Sequence, residues 1–181
     1  MVLVRALVVG RFQPFHRGHL KVVLEVLSEC DDLVIVIGSA EESHTMLNPF
    51  TASERYQMIM SSLPDDALSK VHIVPVRDVN RYAIWVGHVE SYVPPFDVVY
   101  SNNALTRSLF SQVGYEVRKT KTYNGKLYSG TEIRRRMLAS ERWRHLVPPA
   151  VASFAEELGV RARLADVSVK KASRRKSCAR K

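Results

Sequence analysis

The sequence predicts an α/β fold: a Rossmann-like, doubly wound parallel sheet of order 3-2-1-4-5, with helices on both faces. Three observations carry this. Short apolar runs alternate with amphipathic segments along most of the 181 residues. The run Leu33-Val34-Ile35-Val36-Ile37 is apolar at every position, as a parallel strand covered on both faces must be. Pro75 interrupts the donors of the third strand, which suits an edge; right-handed crossovers then put strand one in the middle.

The elements follow in order. Residues 3–9 read as strand, ended by Gly10, and from Gly18 the apolar residues Leu20, Val23, Leu24 and Leu27 recur at helical spacing. Residues 33–37 form the second strand. Thr51-Ala52-Ser53-Glu54 is a capping box opening a helix whose stripe is Tyr56, Ile59, Met60 and Leu63. A third strand is expected at 71–76, a helix at 81–92 ending before Pro94-Pro95, and a fourth strand at 97–101. A helix around Leu105 and Leu109, a short strand at 115–117 and a polar loop come next. Ser129 with Glu132 reads as another capping box, and Pro148-Pro149 starts a last helix with Val151, Phe154 and Leu158.

Composition bounds the function. Hydrophobic content of 46% and charged content of 25% are those of a globular domain, and no apolar run approaches the roughly 20 residues of a membrane span. The first ten residues lead straight into a strand without a signal-peptide pattern, and the cysteines Cys30 and Cys178 make neither a disulfide framework nor a metal-spacing pair. A cytoplasmic protein is expected. The net charge of +9 is mostly local: residues 170–181 hold seven Lys or Arg and no acid, so the remainder carries about +2. We therefore expect one domain over residues 1–168 and a basic tail over 169–181 that lacks structure, with no specific nucleic-acid role.

In open α/β sheets, ligands bind beyond the carboxyl ends of the strands, where the winding reverses. Here that place is the turn GRFQPFHRGH, residues 10–19, which is neither a GxGxxG nor a P-loop. His16 and His19 stand three apart at a helix start, beside Arg11. A metal pair would want further ligands at useful spacing, and none is in sequence reach. Histidines of an ordinary helix start would explain the pair but not its place. A phosphate site explains the location, the glycine and the arginine together, because a helix N-terminus already favours an anion. Near the other end, YSGTEIRRRM (residues 128–137) sets hydroxyls at a second helix start, followed by three arginines pointing in different directions. Arg134 is the candidate for the site and Arg135 for solvent.

At these two motifs the sequence resembles the HxGH nucleotidyltransferases: His16-Arg17-Gly18-His19 matches HxGH, and Ser129-Gly130-Thr131-Glu132-Ile133-Arg134 matches S-x-T-x-x-R. Further segments resemble the archaeal-type nicotinamide mononucleotide (NMN) adenylyltransferases. They are Ile37-Gly38-Ser39-Ala40, Asn48-Pro49-Phe50-Thr51-Ala52 with Glu54-Arg55, Trp85-Val86-Gly87-His88 and Pro94-Pro95-Phe96-Asp97. The resemblance implies adenylyl transfer from ATP, with Mg²⁺, to NMN, giving NAD and pyrophosphate without a covalent enzyme intermediate. It implies His16, His19, Arg11 and Arg134 as catalytic groups, and Gly10, Phe12, Gln13, Ser129 and Thr131 as ATP contacts. Asp78, Trp85, Ser101 and Asn103 are implied on the NMN side, and a homo-oligomer, a hexamer above all, as the assembly. His44 and Thr45 lie in a loop beyond strand two that could reach substrate. The sequence departs from the family pattern at Tyr82 (usually Asn), Asn102 (usually Gly) and Ala104 (usually Pro), all on the expected acceptor side. A transferase with another acceptor, such as FMN, and a nucleotide- or RNA-binding regulator are the competing readings. The intact His16, His19 and Arg134 argue against the second.

Overall fold

The computed structural model describes residues 3–125 and 127–178, with side chains to Val169. Five parallel strands lie in the order β3-β2-β1-β4-β5, as expected. They are β1 (Arg5–Gly10), β2 (Asp32–Ile37), β3 (Val71–Pro75), β4 (Val98–Tyr100) and β5 (Glu116–Arg118). The helices are α1 (Arg17–Leu27), α2 (Ala52–Met60), α3 (Asp65–Leu68), α4 (Tyr82–Glu90), α5 (Ala104–Gln112), α6 (Gly130–Ala139), α7 (Pro149–Glu157) and α8 (Val160–Cys178).

The alternation of strand side chains divides the core into two. Ala6, Val8, Leu33, Ile35 and Ile37 face α1, α2, α6, α7 and α8, where Val23, Val26, Met58, Ile59, Ile133, Met137 and Leu164 bury against them. Leu7, Val34, Val36 and Val99 face α4 and α5, whose Val86, Val89 and Phe110 close the smaller layer. Both layers are apolar, so beyond the Arg5–Asp32 pair at their starts β1 and β2 carry no charged or polar side chain. Pro75 pairs with Ile37 in β3, at the sheet edge, where its missing donor faces no neighbour.

Several local expectations change. Leu24 is 41% exposed and Val26 takes its place in the core; in α2, Tyr56 is 42% exposed while Met58 and Ile59 are buried. The Thr51–Glu54 capping box forms, but the one expected at Ser129 and Glu132 does not: Ser129 makes no side-chain cap bond. Glu132 instead accepts from Arg135 and Arg136 at 2.7–2.9 Å, a charge-assisted pairing that outcompetes a single backbone N–H. The short α3 was not expected, and neither was α8: the chain goes beyond α7 into a helix that carries the backbone through the start of the basic segment to Cys178. The last three residues of that segment lie outside the described residues. Among the described residues, no helix is long and apolar enough to cross a membrane.

Candidate active site

Past the carboxyl end of β1 the chain turns through Arg11–Phe15 into α1. Phe12 takes a left-handed φ of 51°, which folds its ring inward against His19 (centroids 4.9 Å apart). His16 is the N-cap of α1 and His19 its third residue, and the two form a reciprocal capping box in imidazole. The His19 N–H donates to His16 Nδ1 (3.2 Å), and the His16 N–H donates to His19 Nδ1 (3.3 Å). The rings stack at 3.5 Å between centroids. An Nδ1 that accepts a backbone proton cannot carry one, so each neutral ring holds its proton on Nε2. Burial pushes His16 down to about 4. Burial also pushes His19 well below its usual value, and the adjacent His16 adds to this. At neutral pH the pair is therefore two fixed N–H donors rather than two cations.

The second helix start meets this turn through two close approaches. A Cβ on Gly18 would stand 2.9 Å from Tyr128 Cβ, and one on Gly130 would stand 2.8 Å from the Gln13 carbonyl oxygen. Only glycine lets α1, the Gln13 backbone and the start of α6 come this near. With no side-chain cap on Ser129, the first N–H groups of α6 stay available to a ligand.

Arg134 is 6% exposed, and its guanidinium donates only to neutral oxygens: Met46 O (3.0 Å), Gln13 O (2.6 Å) and Thr131 Oγ1 (3.3 Å). Burial pushes it down to about 10, and the nearby Arg11 adds to this. Arg135 and Arg136, by contrast, are paired with carboxylates. Of the three, Arg134 is the one that lines the cleft, while Arg135 turns to Glu132 and Glu141.

Arg11, Phe12, Gln13, His16, His19, Ser129, Gly130, Thr131 and Arg134 line one cleft of about 300 Å³. It brings together nearly all the residues expected at the ATP, and no carboxylate lines it. Gln13 has a different part from the expected one. Its carboxamide accepts from Phe50 N–H (2.9 Å) and donates to Phe50 O (2.8 Å), which leaves only its backbone facing the cleft.

Gly10 borders a second cavity of about 170 Å³, and His19 and Phe12 line both this cavity and the cleft. Its walls are Val22 and Val23 of α1, Tyr100, Ser101, Asn102, Asn103 and Thr120. Ser101 Oγ accepts from Asn103 N–H (3.1 Å), and Asn103 Oδ1 caps α5 through Thr106 N–H (3.0 Å). These two residues were expected beside Asp78 and Trp85, yet they lie elsewhere. Asp78 follows β3 at the opposite edge of the sheet, where it accepts from Ser39 Oγ (2.6 Å) and its N–H meets the Glu41 carboxylate. Trp85 sits in α4, half-buried and edge-on to Phe110 (5.5 Å) on the other face. Asn102, one of the departures, donates to Thr120 O and Oγ1, tying the end of β4 to the segment after β5. His44 is exposed, and the Thr45 hydroxyl accepts the Asn48 N–H that closes its own turn.

Sequence reasoning gave no role to Arg55. It is fully buried and donates to Thr51 O, Arg11 O, Gly38 O and Ser39 O at 2.8–3.1 Å, which locks the exits of β1 and β2 together. Its sequence signals are its place after the Thr51–Glu54 box and in the resembling Glu54-Arg55 segment, and neither says what it does.

This arrangement matches known proteins closely. Residues 7–136 match the cytidylyltransferase-like family. A nicotinamide-nucleotide adenylyltransferase of Methanococcus aeolicus is 47% identical over 166 residues, which is 92% of this chain and 96% of that protein. One from Archaeoglobus fulgidus is 50% identical over 169 residues, 91% of this chain and 97% of the relative. The chain belongs to the nicotinamide-nucleotide adenylyltransferase family. Among solved structures, a bifunctional NMN adenylyltransferase/ADP ribose pyrophosphatase from Francisella tularensis, complexed with AMP and a manganese ion, superposes with a TM-score of 0.73. It is 19% identical, and the superposition covers 98% of this chain and 56% of that one, a likeness of fold alone.

Proposed function

We propose that the chain transfers the adenylyl group of ATP to NMN, giving NAD and pyrophosphate, by direct in-line attack of the NMN phosphate on the α-phosphorus. One observation carries the reading: a cleft with two helix starts, two neutral histidine donors and two guanidiniums, and no acid on its walls, in a chain half identical to adenylyltransferases. Such a site binds a polyanion and stabilises charge building on phosphoryl oxygens; it offers no nucleophile of its own. His16 and His19 donate from Nε2 to the phosphates, the first N–H groups of α6 and Arg134 hold the triphosphate, and Arg11 reaches the transfer centre from the rim. A buried guanidinium without a carboxylate partner waits for an anion, and the nucleotide supplies it.

The ribose and ring of NMN belong beside Asp78 and Trp85, beyond β3. The cavity walled by Ser101, Asn103, Val22 and Val23 shares His19 and Phe12 with the phosphate cleft. It suits the base of ATP better than NMN, which moves Ser101 and Asn103 to the ATP side. Mg²⁺ would enter with ATP, its charge suiting the triphosphate oxygens, and among the described residues no group of three or more His, Cys, Asp or Glu offers it a separate protein site. When bound, the ion would supply positive charge for the departing pyrophosphate. A homo-oligomer, a hexamer in our reading, accords with exposed Tyr82 and Ile84 on α4 and Leu105 on α5, which packs against it. A cytoplasmic location suits the nucleotide substrates and a chain with only two cysteines.

The test is pyrophosphate release from ATP and Mg²⁺ with NMN, nicotinic acid mononucleotide, FMN or glycerol 3-phosphate as acceptor. Fast release with NMN and NAD as product is expected. Release only with another acceptor would keep the phosphate site and redirect the acceptor side, starting from Tyr82 and Asn102. No release with any of them would refute the enzyme reading.

A further inference from the structure

The last helix reaches the phosphate cleft from behind. α8 packs on α6 and α7 and buries Val160 and Leu164, with Arg163 against the loop that leads into α2. Arg163 Nη1 donates to Pro49 O (3.0 Å) and Glu54 Oε2 (2.7 Å), and Nη2 donates to Glu54 Oε1 (2.9 Å). The side chains are only 17% and 15% exposed. Glu54 also accepts the Thr51 N–H in the capping box of α2. Burial pushes its carboxyl up, but the Arg163 bonds and that N–H outweigh burial and leave it below its usual value. Further along α8, Ser168 Oγ lies against Met46 Sδ (3.1 Å), with the Leu164 carbonyl at 2.9 Å as the other acceptor for its one proton.

The inner side of the same loop holds the site. Met46 O and Gln13 O take the Arg134 guanidinium, and Phe50 clasps the Gln13 carboxamide. The loop is anchored at Phe50, which is fully buried, and closed by the Thr45–Asn48 turn, while between them Leu47 is 59% exposed and Asn48 Oδ1 is buried without a partner among the described residues. The wall between Arg163 and Arg134 is therefore one strand of chain thick. A shift of the outer contact moves the carbonyls that aim the inner guanidinium.

We propose that Arg163, clamped by Glu54, is a positioning residue for the ATP triphosphate: it fixes the 46–51 loop, and through the loop the guanidinium of Arg134. The inference rests on the reading of the cleft as the ATP site. It makes α8 a part of the ATP-binding half rather than a cover for the core. It also predicts a much larger effect on one substrate, because Asp78 reaches the loop only at second hand, through Ser39 and Arg55, and Trp85 lies on the other face of the sheet.

The experiment is calorimetric titration with α,β-methylene-ATP and, separately, with NMN. It uses the full chain and the variants Arg163→Gln, Arg163→Lys, Glu54→Gln and the double Arg163→Gln/Glu54→Gln. We expect Arg163→Gln to weaken α,β-methylene-ATP about tenfold, the scale of losing a charge-assisted contact in part. NMN should stay within about twofold, Arg163→Lys should recover part of the loss, and the double variant should be no worse than the worse single one. If Arg163→Gln does not fold, Arg163→Lys and Ser168→Ala carry the same comparison, with a loss of about two- to threefold for the nucleotide alone. An unchanged nucleotide constant in a folded variant, or equal weakening of both ligands, overturns the proposal. A wild-type chain that binds no α,β-methylene-ATP refutes the ATP reading itself and this proposal with it.

Discussion

Replacing His19 by Ala tests the assignment of the two imidazoles most directly. In the structure the His19 side chain has four contacts to lose, one of them a stacked Phe15 ring at 5.6 Å. Its Nε2–H is free for phosphate, because Nδ1 is occupied by the His16 N–H at 3.3 Å. Its ring lies on His16 at 3.5 Å and meets Phe12 edge-on at 4.9 Å. The phosphate donor acts only when charge develops on the phosphoryl oxygens, and removing one such donor lowers kcat by about 10²–10³-fold, or about 2.7–4 kcal/mol. The 3.3 Å cap bond and the ring stack stabilise the fold, not the transition state. Their loss costs about 1–2 kcal/mol, which in a domain of this size lowers Tm by about 2–8 °C. The two effects separate in one experiment: pyrophosphate release at 25 °C, far below unfolding, alongside a thermal melt. We expect a large fall in kcat, a small fall in Tm and an unchanged far-ultraviolet circular dichroism spectrum. Turnover within about twofold of wild type in a folded His19→Ala protein would refute a transition-state role for this imidazole.

Acid should weaken the fold through the same pair. Burial holds His16 and His19 neutral in the native state, while the unfolded chain protonates them near 6.5, so stability is complete above that pH and falls as the pH drops towards about 4. His16 alone accounts for about 3 kcal/mol over that window; urea midpoints at pH 7.5, 6 and 5 should decline, and less steeply in His16→Asn, whereas a flat series would contradict the buried neutral pair. Gly130→Ala would force a Cβ to within 2.8 Å of Gln13 O, moving α6 off the cleft; we expect kcat/KM for ATP to fall by at least about tenfold with the fold intact, and an unaffected value would mean the contact relaxes freely. Truncation after Val169 keeps Arg163, Leu164 and Ser168, so pyrophosphate release should stay within about twofold; a larger loss would give the basic segment a part in catalysis.

The phosphate half of the site was legible in the sequence because its parts are local. A strand that ends in glycine, two histidines at the start of a helix and a second helix start with hydroxyls each announce themselves within ten residues. Their meeting follows from the sheet order, which Pro75 at the edge and the apolar run of β2 already imply. What stayed hidden depends on competition. Ser129 and Glu132 have the spacing of a capping box, but two arginines one and two residues past Arg134 take the carboxylate first. The helix start is left bare, and that bareness is what a phosphate needs. His16 and His19, which match no capping-box pattern, form one. Arg55 and Arg163 look like any surface arginine, since only the carbonyls and carboxylate around them distinguish a clamp from a solvated charge. α8 escaped notice because its apolar positions thin out after Leu164 while its charges multiply.

The acceptor half was harder to draw for a more general reason. Asp78, Ser101 and Asn103 all follow the carboxyl ends of strands, and in a doubly wound sheet every such position belongs to the ligand-binding edge. Position along a strand can be counted in sequence, but the side of β1 on which a loop falls cannot, because the alternation that sorts side chains between faces stops where the strand stops. Tyr100, still in β4, faces α1, and the chain after it keeps to that side, next to His19 and Thr120. Asp78 leaves from β3, with β2 between it and β1, and is caught by Ser39. Two groups of residues assigned to one ligand therefore flank the histidines from opposite sides. That is the layout direct transfer demands: a nucleotide on one side, an acceptor on the other, and the phosphorus to be attacked between them, over the N-terminus of α1.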